Sequence, residues 1–194
     1  MAQLFSPAMV FASRCLWALA AALLIASLTA CGFRLLGSQP LPFESLYIDI
    51  PDASRFGADI RRSIRAVSPR TRLPEAVQDA QVRLQNLGLA RSQREMSLNP
   101  QGQVEEYELT LTFRFRVSDA NGEPIIPDTT LTATRDMPYD AQVVQAKQSE
   151  MEILYQDMEQ SLVNRILRRL TAPDVHAAMQ RLASDSTAEN SAHK

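Results

Sequence analysis

Cys31 is the residue whose surroundings prescribe a reaction. In Leu28-Thr29-Ala30-Cys31-Gly32 a leucine stands at −3, small residues at −2 and −1, and cysteine at +1. This matches the bacterial lipobox, in which the thiol is acylated and the cysteine becomes the first residue of the mature chain. Arg14 supplies a thin positive region, and Leu16 to Leu28 an uninterrupted apolar run of the kind that precedes a cleavage site. That run is too short to span a bilayer, which takes about 20 apolar residues. The expectation is a removable signal peptide over residues 1–30 and a Cys31 carrying S-diacylglycerol and an N-acyl chain. Gly32 at +2, in place of the aspartate that commonly signals inner-membrane retention, points to the outer membrane, facing the periplasm. One acyl chain alone holds only marginally, at about 0.8 kcal/mol per buried methylene, so several chains give a lasting anchor.

A second chemistry is phosphate recognition. Arg91, Arg94, Arg114, Arg116 and Arg135 lie on predicted strands or their ends. The rigid guanidinium fork binds phosphate through two parallel hydrogen bonds. The plainer reading is that each pairs with a neighbouring carboxylate. Nucleophilic and metal chemistry have little to work with: the histidines are His176 and His193, past the last strong helical pattern, Cys15 leaves with the signal peptide and Cys31 is consumed by lipid. Glu105 and Glu106 point opposite ways on a strand, Glu150 and Glu152 diverge around a helix, and the six glycines are too scattered for a phosphate-cradling loop. A binding or structural protein is expected, not an enzyme, with no cofactor and no metal.

These residues need a scaffold. Of 194 residues, 164 remain after cleavage, which suits one domain. Loss of Arg14 takes the formal charge from −2 to −3, which argues against a nucleic-acid partner. Leu46, Ile48 and Ile50 alternate as in a half-buried strand; Phe56, Ile60, Ile64 and Val67 then recur at helical spacing behind Asp52 or Ser54 as N-cap. Alternation resumes at Ala80, Val82 and Leu84 and slips phase at Asn86-Leu87, which predicts a bulge near Gly88. Tyr107 to Val117 alternates without error, and turn signals on both sides predict a three-stranded meander ending in a strand over Thr129–Met137. From Asp140 to Leu170 an apolar stripe through Val144, Met151, Leu154, Met158, Leu162 and Ile166 predicts a long helix. The expected organisation is a lipidated tether at 31–44, a domain at 45–172 and a disordered tail at 173–194.

The order strand, helix, three strands, long helix follows Cys31-Gly32-Phe33-Arg34-Leu35, and contains Gly102-Gln103-Val104-Glu105-Glu106-Tyr107-Glu108-Leu109 and a helix closing on Arg168-Arg169-Leu170. It resembles the lipopolysaccharide-assembly lipoprotein family LptE, also called rare lipoprotein B, over nearly the whole mature chain. Phe33-Arg34 departs from the Trp-His that some relatives carry there. The resemblance implies an α+β fold of βαβββα order, a four-stranded mixed or antiparallel sheet with two helices packed on one face. It also implies a non-enzymatic role: plugging and assisting assembly of the β-barrel translocon LptD, and binding lipopolysaccharide on its way to the outer leaflet. Thr110, Thr112, Arg114, Arg116 and Thr132 would then face the polar barrel lumen. Arg91, Arg94 and Arg135 would meet lipopolysaccharide phosphates. The competing expectation is a lipoprotein accessory subunit of a periplasmic phospholipid-transport ABC system.

Overall fold

A computed structural model describes residues 40–192, with side chains to residue 184. The signal segment and Cys31 lie outside the described residues. Strand β1 (Leu46–Ile48) is followed by helix α1 (Arg55–Val67), a 3₁₀ turn at Val77–Asp79, strands β2 (Val82–Leu98), β3 (Val104–Asp119) and β4 (Pro124–Pro138), and helices α2 (Val144–Leu170) and α3 (Pro173–Ala192). The sheet order is β1-β2-β3-β4, with β1 parallel to β2 and the other pairs antiparallel. The fold is therefore α+β with a mixed sheet, as expected.

Local chemistry accounts for the elements. Ser54, in an extended conformation, caps α1 by accepting the Gly57 N–H at 3.1 Å. A Cβ at Gly57 would come within 2.5 Å of the Pro51 carbonyl, so only glycine lets the loop leaving β1 fold this tightly onto the helix. The predicted bulge falls between Asn86 and Gly88, where Gly88 has φ +143° and its N–H bonds the Asn86 side chain at 2.9 Å. Beyond it the alternation of β3 sends Leu109, Leu111, Phe113, Phe115 and Val117 to one face, all fully buried. Phe56 of α1 meets Phe113 edge to face at 5.1 Å, and Tyr155, Met158, Leu162, Val163 and Ile166 of α2 complete the same core.

Three expectations are corrected. The domain begins before residue 45: Leu41 and Phe43 are core residues, tied down by the Leu41 N–H on Ser68 Oγ and by Thr71 Oγ1 donating to the Phe43 carbonyl. The segment from Pro173 is helical through Ala192, and Val175 and Met179 bury against the core, so a third helix joins the two that were expected. Helix α2 starts at Val144, because Asp140 spends its carboxylate on the Gln142 N–H in a local turn; Val144 itself is exposed.

Candidate functional site

Among the described residues the core occupies one face of the sheet and no element covers the other. Register fixes that second face. Thr110 stands opposite Thr134, Thr112 opposite Thr132 and Arg114 opposite Thr130 across β3 and β4, while Ser92, Ala90 and Gly88 continue the same rows on β2. Because cross-strand partners share a face, these residues form a broad polar surface of hydroxyls edged by Arg114, Arg116 and Arg94. Four of the barrel-facing candidates, Thr110, Thr112, Arg114 and Arg116, thus lie together, with Thr132 beside them. Arg116 pairs with Asp128, and that hydrogen bond holds the Asp128 carboxyl below its usual range. Arg114 forms no ion pair among the described residues.

The three arginines expected to meet phosphates are not gathered. Arg91 and Arg94 are three apart on β2 and fall on opposite faces, Arg91 opposite Leu111 and Arg94 opposite Glu108. Arg135, opposite Leu109, lies on the helix-bearing face at the β4 side of α2. Each is paired: Arg94 with Glu108 at 3.0 Å, Arg135 with Asp157 at 3.1 Å, and Arg91 with both Glu152 and Glu159 at 2.8 Å.

Arg91 is the most constrained. Its guanidinium lies 4.7 Å from the centroid of the Tyr155 ring, and Tyr155 in turn donates from its hydroxyl to the Ser92 carbonyl at 2.8 Å. Beyond Leu84, where pairing with β1 ends, β2 is an edge strand among the described residues. Arg91, Tyr155, Glu152 and Glu159 clamp α2 onto it. On the opposite edge Arg165 donates to the Thr132 carbonyl and Arg135 to the Thr134 carbonyl at 3.0 Å, so guanidiniums from above the sheet occupy backbone acceptors of β4 as well. The carboxylates of the clamp were missed in the sequence, although Glu152, Tyr155 and Glu159 recur at helical spacing beside the apolar stripe.

Glu159 is 5% exposed, and the clamp is its source of compensating charge. Arg91→Ala is expected to destabilise the domain by about 2 kcal/mol, less than the loss of a wholly buried pair because Arg91 itself reaches solvent. Glu159→Gln added to that variant should recover much of the loss, which urea unfolding midpoints measure directly. The hydrogen bond from Arg91 lowers the Glu152 pKa. That contribution is present above the ordinary carboxylate range and disappears as pH falls through the depressed value.

Elsewhere, a cleft of about 560 Å³ between β1 and α1 is bracketed by Arg61, which binds the Ile48 and Ile50 carbonyls at 3.0 and 2.7 Å and Asp52 at 2.7 Å. Its donors are committed to holding the loop. Among the described residues no group of histidines, cysteines and carboxylates is placed to hold a metal ion, and no helix is long and apolar enough to cross a membrane.

A mixed sheet that, among the described residues, is covered by helices on one face and polar on the other defines a small α+β domain. The family model described as LptE, lipopolysaccharide-assembly, matches residues 43–170, and the chain belongs to that family. An uncharacterized lipoprotein B from Nitrosomonas europaea, solved by solution NMR, is 32% identical with a TM-score of 0.61, the match covering 73% of this chain and 91% of that one. Two crystal structures share the fold. The minor lipoprotein of Acinetobacter baumannii has 23% identity and TM-score 0.55 over 68% of this chain and 93% of its own. The rare lipoprotein B of Shewanella oneidensis has 22% identity and TM-score 0.54 over 75% and 98%. No protein of curated function matches the chain. Helix α3 begins beyond the matched residues.

Proposed function

We propose that this lipopolysaccharide-assembly lipoprotein is anchored through acylated Cys31 in the inner leaflet of the outer membrane, plugs the β-barrel translocon LptD while assisting its assembly, and binds lipopolysaccharide during delivery to the outer leaflet. The observation that supports the plug role is the uncovered sheet face of Thr110, Thr112, Thr130, Thr132, Thr134 and Arg114. The polar lumen of a wide barrel matches this surface of hydroxyls on rigid strands. Of the three arginines proposed to meet lipid A phosphates, Arg94 is the most available: its side chain is 68% exposed on the bare face and its single pairing is with Glu108. Arg91 and Arg135 would have to give up partners on α2 first. The role calls for no catalytic step. No observation favours the accessory-subunit reading.

A photoreactive residue at Thr112 tests the plug directly. In cells it is expected to cross-link to a large barrel protein, while the same residue at Ile153, 64% exposed on α2, serves as the comparison. Capture from Ile153 together with none from Thr112 would assign the interface to the wrong face.

A further inference from the structure

The two edges of the sheet are protected unequally. On β4 the carbonyls of Thr132 and Thr134 are taken by Arg165 and Arg135, and prolines stand at Pro124, Pro127 and Pro138. On β2 the stretch from Gln85 to Leu98 contains neither proline nor lysine, and β1 leaves its side after Leu84. Register tells which backbone groups face outward there. The Val82 N–H donates to the Ser45 carbonyl and the Leu84 carbonyl accepts from the Asp49 N–H, so Val82 and Leu84 face β1, and Arg83 faces β3 opposite Ser118. Even-numbered residues of β3 therefore face β2, while Glu105 faces the other way and accepts from the Tyr139 N–H. Their partners Gly88, Ala90, Ser92 and Arg94 turn inward. Leu89, Arg91, Gln93 and Glu95 thus present N–H and C=O groups to the outside, with no partner for them among the described residues. Tyr155 bonds the Ser92 carbonyl, one of the inward set, and leaves the outward row free.

We infer that this edge of β2 pairs with a transmembrane strand of the barrel subunit while the barrel is still open. The inference rests on the proposed assistance to barrel assembly and names the surface that provides it. An unpaired edge is a template for main-chain pairing with an extended segment. The regular stretch from Gly88 to Glu95, between the two bulges, is about 27 Å long, close to the apolar band of about 25 Å that a barrel strand spans. The rows on either side of the edge suit a strand that alternates polar and apolar residues, as barrel strands do. Leu89, 41% exposed, lies on the helix-bearing side. Gly88, Ala90 and Ser92 make the other side small and continuous with the threonine face, which leaves room for the larger side chains of an added strand. A closed barrel has no free edge, so the pairing ends at closure and the protein stays inside as the plug.

The full chain carrying a photoreactive residue at Gln93, exposed in the middle of this stretch, is illuminated in cells during a pulse of labelling and again after a chase. Capture of the newly made barrel subunit is expected in the pulse and its loss after the chase, while capture from Thr112 persists. Gln93→Pro removes one outward N–H and keeps the bonds to β3. It is expected to slow the appearance of the mature barrel by about five-fold, the worth of one main-chain hydrogen bond, while Gln93→Ala, which keeps the N–H, leaves the rate unchanged. An unchanged rate in Gln93→Pro overturns the inference. So does a Gln93 probe that captures only a second copy of this chain, or nothing, while Thr112 captures the barrel. If neither position captures the barrel, the plug reading itself fails and the inference goes with it.

Discussion

Cys31→Ala is expected to abolish lipid attachment outright. The transfer of diacylglycerol requires a thiolate nucleophile at the +1 position, and alanine offers none. Cys15 cannot substitute, because Ser13 and the charged Arg14 precede it where a lipobox needs apolar and small residues. Incorporation of labelled palmitate should fall to background, and a precursor retaining residues 1–30 should accumulate. Palmitate labelling that persists in the variant would mean that Cys31 is not the acylated residue, and the proposed anchor would be lost with it.

The second large effect is expected at Phe113. Its ring is fully buried at the centre of β3, packed edge to face on Phe56 at 5.1 Å and stacked on Phe115 at 5.4 Å. Phe113→Ala removes the contact through which α1 meets the middle of the sheet and leaves a cavity that neighbouring strands cannot close. A loss of about 3 to 5 kcal/mol is expected. Urea denaturation of the purified protein measures it, and a loss under about 1 kcal/mol would show that the sheet and α1 do not pack as described. Arg91→Ala, affecting a half-exposed clamp, should cost distinctly less.

What could be read in the sequence was local. Tyr107 to Val117 alternates over enough residues to name both its period and its buried face, and a single phase slip at Asn86-Leu87 located the bulge. Ser54, Phe56, Ile60 and Ile64 defined a capped amphipathic helix in the same way. Helix α3 was missed because Val175, Met179 and Leu182 are its main apolar groups in a segment rich in alanine and polar residues, and their burial depends on surfaces formed far away in the chain. Leu41 and Phe43 each follow a proline, Pro40 and Pro42, in a stretch that reads as a tether.

The arginines show both limits. That Arg91 and Arg94 lie on opposite faces follows from their spacing of three on a strand, and that Arg135 shares a face with Leu131, Ala133 and Met137 follows from parity. Their partners could not be read. Glu152 and Glu159 lie 61 and 68 residues from Arg91 along the chain, so the neutralisation of that guanidinium exists only once α2 has packed on β2. The family resemblance came through the order and spacing of the elements, which local periodicity reveals even where the polar contacts between them are not spelled out.

The most direct measurement is co-purification. The protein tagged at its C-terminus and drawn from outer membranes in mild detergent should bring with it a large β-barrel protein in near-equal amount, with lipopolysaccharide bound. An inner-membrane ABC transporter or a phospholipid shuttle in its place would contradict the assembly role, and the assignments of Thr112 and Arg94 would fall with it.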